Sequence, residues 1–179
     1  MLPEAELTEM VYGAAKRAFT ELFKQHPDEH FYYCSLTTDG AASGPAFTAW
    51  SAEALRKAVA EDPEPNKAMA LQMLKWSYGE SPYFCFMDEL FEPVREAFQS
   101  RPEPDGPLWD AEYELRMRAM ETAMCRLDQE GIFGSGDVRE DMVIAVEVMP
   151  PDHTNTERVK RLNRNRRSLE IWMTEYDNS

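Results

Sequence analysis

The stretch "HFYYCSLTTDGAASGPAFTAWS", His30–Ser51, decides the fold class. "HFYYCSLTT" is rich in aromatic residues and closes in Thr-Thr, a composition that suits a pleated, half-buried strand. "DGAASG" supplies a loop, and "PAFTAW" reads as a second, antiparallel strand. Ser51 then stands where a side-chain oxygen caps the first turn of a helix. One hairpin therefore sits inside a chain whose other long patterns are helical.

Before the hairpin, Leu7, Val11, Ala14, Ala18 and Leu22 recur at three- and four-residue steps, with Phe19 and Phe23 widening the stripe. This predicts an amphipathic helix over Glu4–Gln25, ended by His26-Pro27. After the hairpin, a helix runs from Ser51 to about Glu61, and a shorter one covers Asn66 to Leu74. Helical spacing resumes through Met87, Leu90, Val94 and Phe98, with Pro93 starting a new turn or kinking the old one. "SRPEPDGP" (residues 100–107) reads as a linker. The cleanest helix follows, with Trp109, Tyr113, Met117, Met120, Met124 and Leu127 on one stripe. Its methionines suit a core or, alternatively, a partner groove.

"DMVIAVEVM" (141–149) is β-branched and apolar, and is expected to be a central strand. From Asn155 onward, Val159, Leu162, Arg166, Leu169, Met173 and Tyr176 keep helical spacing. Leu169, Ile171 and Met173 also alternate as a strand would; helix is the preferred expectation. The chain is thus read as one α+β domain over 1–179, with helices packed on a small, mostly antiparallel sheet.

"LDQEGIFGSGDVRED" (127–141) invites a phosphate-loop reading, but the order is wrong. A dinucleotide fingerprint follows a strand and opens a helix. Here the glycines follow a helix and precede a strand. A calcium loop from Asp128 fails as well, because Ile132 and Phe133 fall where a ligand and the required glycine belong. Gly131 fits the residue just past a helix end. Gly134 and Gly136 fit a tight connection, and Arg139 is expected to pair with Glu140 or Asp141.

The net charge of −14 over 179 residues is the strongest compositional fact. It argues against nucleic acid as the principal partner, since phosphate neutralisation needs a cationic footprint. The distribution is uneven. "RVKRLNRNRR" (158–167) holds six of the 19 Lys and Arg residues, leaving 13 basic against 30 acidic residues in the chain before it. Such a run serves as a solvated helix face, docks on the protein's own acidic body, or meets a partner. No apolar run approaches the roughly 20 residues that cross a bilayer, and "MLPEAELTEM" has acids where a secretory signal carries a basic flank. A cytoplasmic protein with no membrane partner is expected.

Cys34, Cys85 and Cys125 are widely spaced among apolar neighbours and read as buried small hydrophobes. His26, His30 and His153 are scattered, so no metal and no cofactor is expected. No GxSxG or cysteine-nucleophile signature marks a catalytic residue, and an enzyme is not expected. The acids are too many for sequence proximity alone to mark a catalytic pair. The better candidate for recognition is "LKWSYGESPYF" (74–84), where Trp76 and Tyr78 offer large contact area at low entropic cost. Alternatively, Trp76 and Phe84 plug the core beneath that loop. With Glu80 and the nearby Asp88, Glu89 and Glu92, these residues form the candidate partner-binding set; the acidic belt from Asp110 to Glu121 is another face.

Taken in order, "FYYCSLTTDG", "LKWSYGESPYF" and "LDQEGIFGSGDVRED", with "VKRLN" further on, resemble an uncharacterised bacterial domain family of about this length. Its members are often found among immunity proteins of polymorphic toxin, contact-dependent and type VI secretion systems. The resemblance covers roughly residues 5–165, leaving 166–179 as a C-terminal extension. It implies that Trp76, Gly131, Phe133, Gly134, Gly136 and Arg139 are fold determinants, and it carries no catalytic residue. What it implies about function is an immunity protein that binds a cognate toxin with a basic surface and occludes its active site or substrate surface. The alternatives are a general adaptor or, further off, an enzyme with a carboxylate-lined site.

Overall fold

In the computed structural model, which describes residues 2–102 and 108–176, eight α-helices surround three strands. The first helix, α1 (Glu4–Gln25), buries Leu7, Val11, Ala15, Ala18, Phe19 and Leu22 along the predicted stripe. Strands β1 (Phe31–Asp39) and β2 (Ala46–Ser51) pair antiparallel, as the hairpin requires. The Ser51 hydroxyl accepts the Ala54 N–H and caps α2 (Ala52–Glu61). Asn66 caps α3 (Lys67–Leu74) in the same way. A 3-10 turn at Asp88–Leu90 leads into α4 (Glu92–Gln99), with Pro93 in its first turn. The long α5 (Trp109–Gln129), a one-turn α6 (Asp137–Glu140), β3 (Val143–Met149), α7 (His153–Leu162) and α8 (Arg167–Tyr176) complete the order.

The sheet differs from expectation in two respects. Its order is β2-β1-β3, and β3 pairs parallel to β1, with Ser35 opposite Ala145 and Thr37 opposite Glu147. The sheet is therefore mixed rather than mostly antiparallel. Parallel neighbours need a crossover, which the long helical segment between the hairpin and β3 supplies. β3 is also an edge strand, not a central one. It reads as central because helices bury both its faces, so its composition is continuously apolar.

Its outer edge is closed by side chains. The Asn155 amide accepts the Val148 N–H (2.7 Å) and donates to the Val148 carbonyl (3.0 Å). Asn163 repeats this at Ile144, at 3.0 and 2.7 Å, and Arg158 Nε donates to the Val146 carbonyl at 2.9 Å. Eight helical residues rise about 12 Å and four strand residues about 13 Å, so one helix can meet alternate rungs of the strand. The start of the basic run is thus structural. Farther along, Arg161 pairs with Glu121, Arg166 with Glu140 and Arg167 with Asp141, so the run docks on the acidic body. Asn163–Arg166 separates α7 from α8, which the helical spacing had run together.

Two cores result. On one sheet face, Cys34, Leu36, Phe47, Ile144 and Val146 meet α1, α4 and α5. Met117, Met120 and Met124 are all buried there. Phe19 is central, with its ring 4.5 Å from Phe47 and 5.0 Å from Phe133. On the other face, Tyr33, Trp50, Val143 and Ala145 are covered by Leu55, Leu74, Val159 and Trp172. The expected linker begins inside this framework: Arg101 is only 5% exposed, while residues 103–107 lie outside the described residues. Cys34 is buried, Cys85 half-buried and Cys125 exposed, which corrects the expectation that all three are buried. Cys125 follows Met124 by one residue, about 100° around the helix, and so leaves the buried stripe.

The second core also holds a carboxyl. Glu147 is 1% exposed; it accepts the Tyr33 and Ser35 hydroxyls through one oxygen, while its other oxygen has no hydrogen-bond partner. Burial pushes this carboxyl above its ordinary range, against the opposing pull of Tyr33, Ser35 and Arg158. The native state then keeps a proton that the unfolded chain releases, so stability falls as pH rises above the unfolded value. Glu147→Gln removes that penalty. It is expected to gain about 1–3 kcal/mol at pH 7, the scale of an unmet buried polar group, and to converge with wild type near pH 4. Thermal melts at both pH values check this; a variant less stable at pH 7 contradicts it.

Candidate functional site

A hollow of about 850 Å³ lies where the end of α1 faces the glycine-rich turn. One wall comes from Phe23–Tyr32 and the other from Ile132–Met142. The turn is built as its glycines suggest. Gly131, at φ +77°, donates to the Asp128 carbonyl, and the Ile132 N–H reaches back to Leu127 at 3.1 Å. These paired bonds are a helix-ending motif open to glycine because the conformation is left-handed. Gly134 is packed so closely that a Cβ there would lie 2.8 Å from Val138 Cγ1. A one-turn helix, α6, stands between these glycines and β3, so the connection is longer than a simple turn.

Arg139 locks this wall, but not with the partners expected. Its guanidinium, 2% exposed, grips both Asp128 oxygens (2.5 and 3.0 Å) and donates to the carbonyls of Met142 (2.7 Å) and Leu162 (3.2 Å). Glu140 and Asp141 turn outward to Arg166 and Arg167 instead. Side chains of adjacent residues on one helical turn diverge, whereas Asp128 is brought across by the turn itself. The opposite wall is held by Glu29, which accepts the Tyr83 hydroxyl (2.6 and 2.7 Å) and the Ser51 hydroxyl and lies 3.0 Å from the His26 ring. Burial and the Glu29 carboxylate push the Tyr83 phenol well above its ordinary range. Beside them, the His30 backbone N–H and ring hold Glu53 down at about 2.

The cleft is apolar within and acidic at the rim. Phe31, Phe133 and Met142 form a buried floor, and Val138 is 61% exposed. Asp28 and Asp137 stand exposed at the mouth. Such a cavity orients an apolar group through a few placed charges. Among the described residues, no group of three or more His, Cys, Asp and Glu is placed to hold a metal ion.

The predicted aromatic-loop residues form a separate surface. Trp76 is half-buried: its indole donates to Glu175 at 3.0 Å and its ring stands edge-on to Tyr32 and Tyr33. Tyr78 meets Phe84 edge-on at 5.6 Å, and its carbonyl accepts the Thr48 hydroxyl. Asp88 receives Arg95 through both oxygens at 2.8 Å, and Glu92 binds the same guanidinium at 2.7 Å. Glu80 and Glu89 remain exposed. The loop is thus part scaffold and part surface. Beside Trp76, Met69 and Met73 of α3 are 51% and 68% exposed, a face the sequence reading did not single out.

The profile of the domain of unknown function DUF4303 matches residues 11–164. The chain belongs to the DUF4303 family. The matched region includes both cleft walls and the aromatic loop, and the DUF4303 domain ends before α8, so the helix carrying Trp172 is additional to it. No curated protein and no solved structure gives a match. Among the described residues of this DUF4303 member, no helix is long and apolar enough to cross a membrane. Sequence reasoning missed the cleft, although the family-like stretch 127–141 forms one of its walls; the available signal was Phe133, an aromatic residue set between glycines.

Proposed function

We propose that this protein is a non-catalytic binding protein that neutralises a cognate bacterial toxin by covering a basic active site or substrate surface. The observation that carries this reading is the charge: −14 overall, with much of the basic C-terminal run already engaged by the protein's own carboxylates and carbonyls. With those cations already paired, they are not free to meet a partner, and the chain as a whole keeps its excess of negative charge. An acidic inhibitor meeting a basic target associates fast, and the rate falls steeply with salt. The resemblance to a domain family found among immunity proteins points the same way.

The test is co-expression with the product of the gene adjacent to this one, followed by binding of the purified pair. Rescue of growth and submicromolar binding are expected, with the association rate falling at least about tenfold from 50 to 500 mM salt. Absence of binding at micromolar concentration ends the proposal. On the aromatic-loop face, Glu80→Lys with Glu89→Lys should slow association more than Asp88→Lys with Glu92→Lys. The latter two carboxylates are already held by Arg95.

A further inference from the structure

We propose that the cleft between the end of α1 and the glycine turn receives a bulky apolar side chain flanked by Lys or Arg on the surface of a protein partner. This rests on the reading of the molecule as a binding protein, and it names the place and chemistry of the contact. The cleft volume, about 850 Å³, lies within the range of about 300–1,000 Å³ of sites that enclose a ligand. Val138 and the half-buried Phe23 and Ile132 give it apolar sides above the buried floor. Interface anchors are aromatic or aliphatic groups seated in such pockets.

Charge selects the flanks of that anchor. Asp137 has a side chain 96% exposed, and its nearest cation, Arg167, stands 4.0 Å away and closer to Asp141, at 2.7 Å. Asp28 has no ion-pair partner among the described residues. Two under-neutralised carboxylates at the mouth favour cations beside the anchor. They also disfavour a second copy of this chain, which carries the same −14 charge. Both walls are fixed before any partner arrives, one by Glu29 with Tyr83 and Ser51, the other by Arg139. A preformed cleft avoids the entropy of ordering at contact.

The experiment titrates the isotopically labelled full chain, followed by amide NMR, with acetylated, amidated Lys-Trp-Lys and Glu-Trp-Glu peptides. Lys-Trp-Lys is expected to shift the amides of Ile132, Phe133 and Val138, and to bind at least fivefold more tightly than Glu-Trp-Glu at low salt. Asp28→Asn with Asp137→Asn should remove that preference. Val138→Arg alters an exposed position, so the fold is retained, and it should weaken Lys-Trp-Lys at least tenfold. Equal binding of the two peptides, shifts confined to α3 around Met69 and Met73, or an unaffected Val138→Arg variant each overturn the proposal. The two readings separate cleanly. A cognate partner that binds Val138→Arg as well as wild type removes the cleft and leaves the binding function standing. Peptide selectivity without any toxin partner does the reverse.

Discussion

Arg139→Ala is expected to lower the unfolding free energy by about 3–5 kcal/mol, the range for removing one partner of a buried ion pair. With total stabilities of about 5–15 kcal/mol, that leaves the variant marginal or unfolded at 37 °C. The loss has several parts. Asp128, only 18% exposed, keeps a carboxylate without its cation, and the carbonyls of Met142 and Leu162 lose a donor. Asn163, which closes the β3 edge, loses a neighbour 3.3 Å away. Arg139→Lys should restore little, because a single ammonium cannot reproduce a planar fork that serves five acceptor atoms on four residues. Urea denaturation gives the answer as a lowered midpoint at unchanged slope; a loss under 1 kcal/mol would show that the turn holds itself.

Glu112→Ala should cost a similar amount by a different route. Its carboxylate lies between two guanidiniums, Arg101 at 2.5 and 2.9 Å and Arg116 at 2.9 Å, and all three residues are nearly or fully enclosed. Arg101 also donates to the Leu2 carbonyl, and Arg116 to those of Ala42 and Pro102. Removing the carboxylate leaves two buried cations facing each other, worth about 3–5 kcal/mol. Replacing all three by apolar residues of similar volume (Arg101→Met, Glu112→Leu, Arg116→Met) is expected to recover most of that loss, since well-packed apolar groups match such triads. Burial opposes ionisation of Glu112, and the two guanidiniums overcome it, holding the carboxyl below its ordinary range. Its stabilisation is therefore complete above the unfolded value and lost as pH falls through the folded one. Melts from pH 6 down to pH 3 should show a shallower acid loss in the triple variant than in wild type.

These two residues mark where sequence reading stops. Local rules gave α1 its ends, Ser51 its cap and Gly131 its place, because each depends on neighbours within a turn. Pairings that span the chain leave no such trace. Nothing near β3 says that it lies parallel to β1, and the apolar run Val143–Val146 looks alike at an edge or a centre once helices cover it. Arg139 chooses Asp128 over nearer acids because the glycine turn folds them together. The cleft is legible only in halves: Phe133 belongs to the recognised stretch, while Phe23 and Asp28 belong to an unremarkable helix end. Trp76 packs on Tyr33, as the core reading has it, and still borders solvent, which the sequence alone does not distinguish.

Neither border of the sheet is open for business with another backbone. On β3, Asn155, Arg158 and Asn163 stand in for a fourth strand. On β2, the Cys85 N–H takes the Phe47 carbonyl and the Ser81 hydroxyl takes that of Ala49. Adding a strand, the mode of recognition that reads main chain first and side chains second, is therefore obstructed at both edges. Recognition is left to shape and charge on the outer surface, where single substitutions in either protein change the fit. For the binding function proposed above, that exclusion would itself be a source of selectivity.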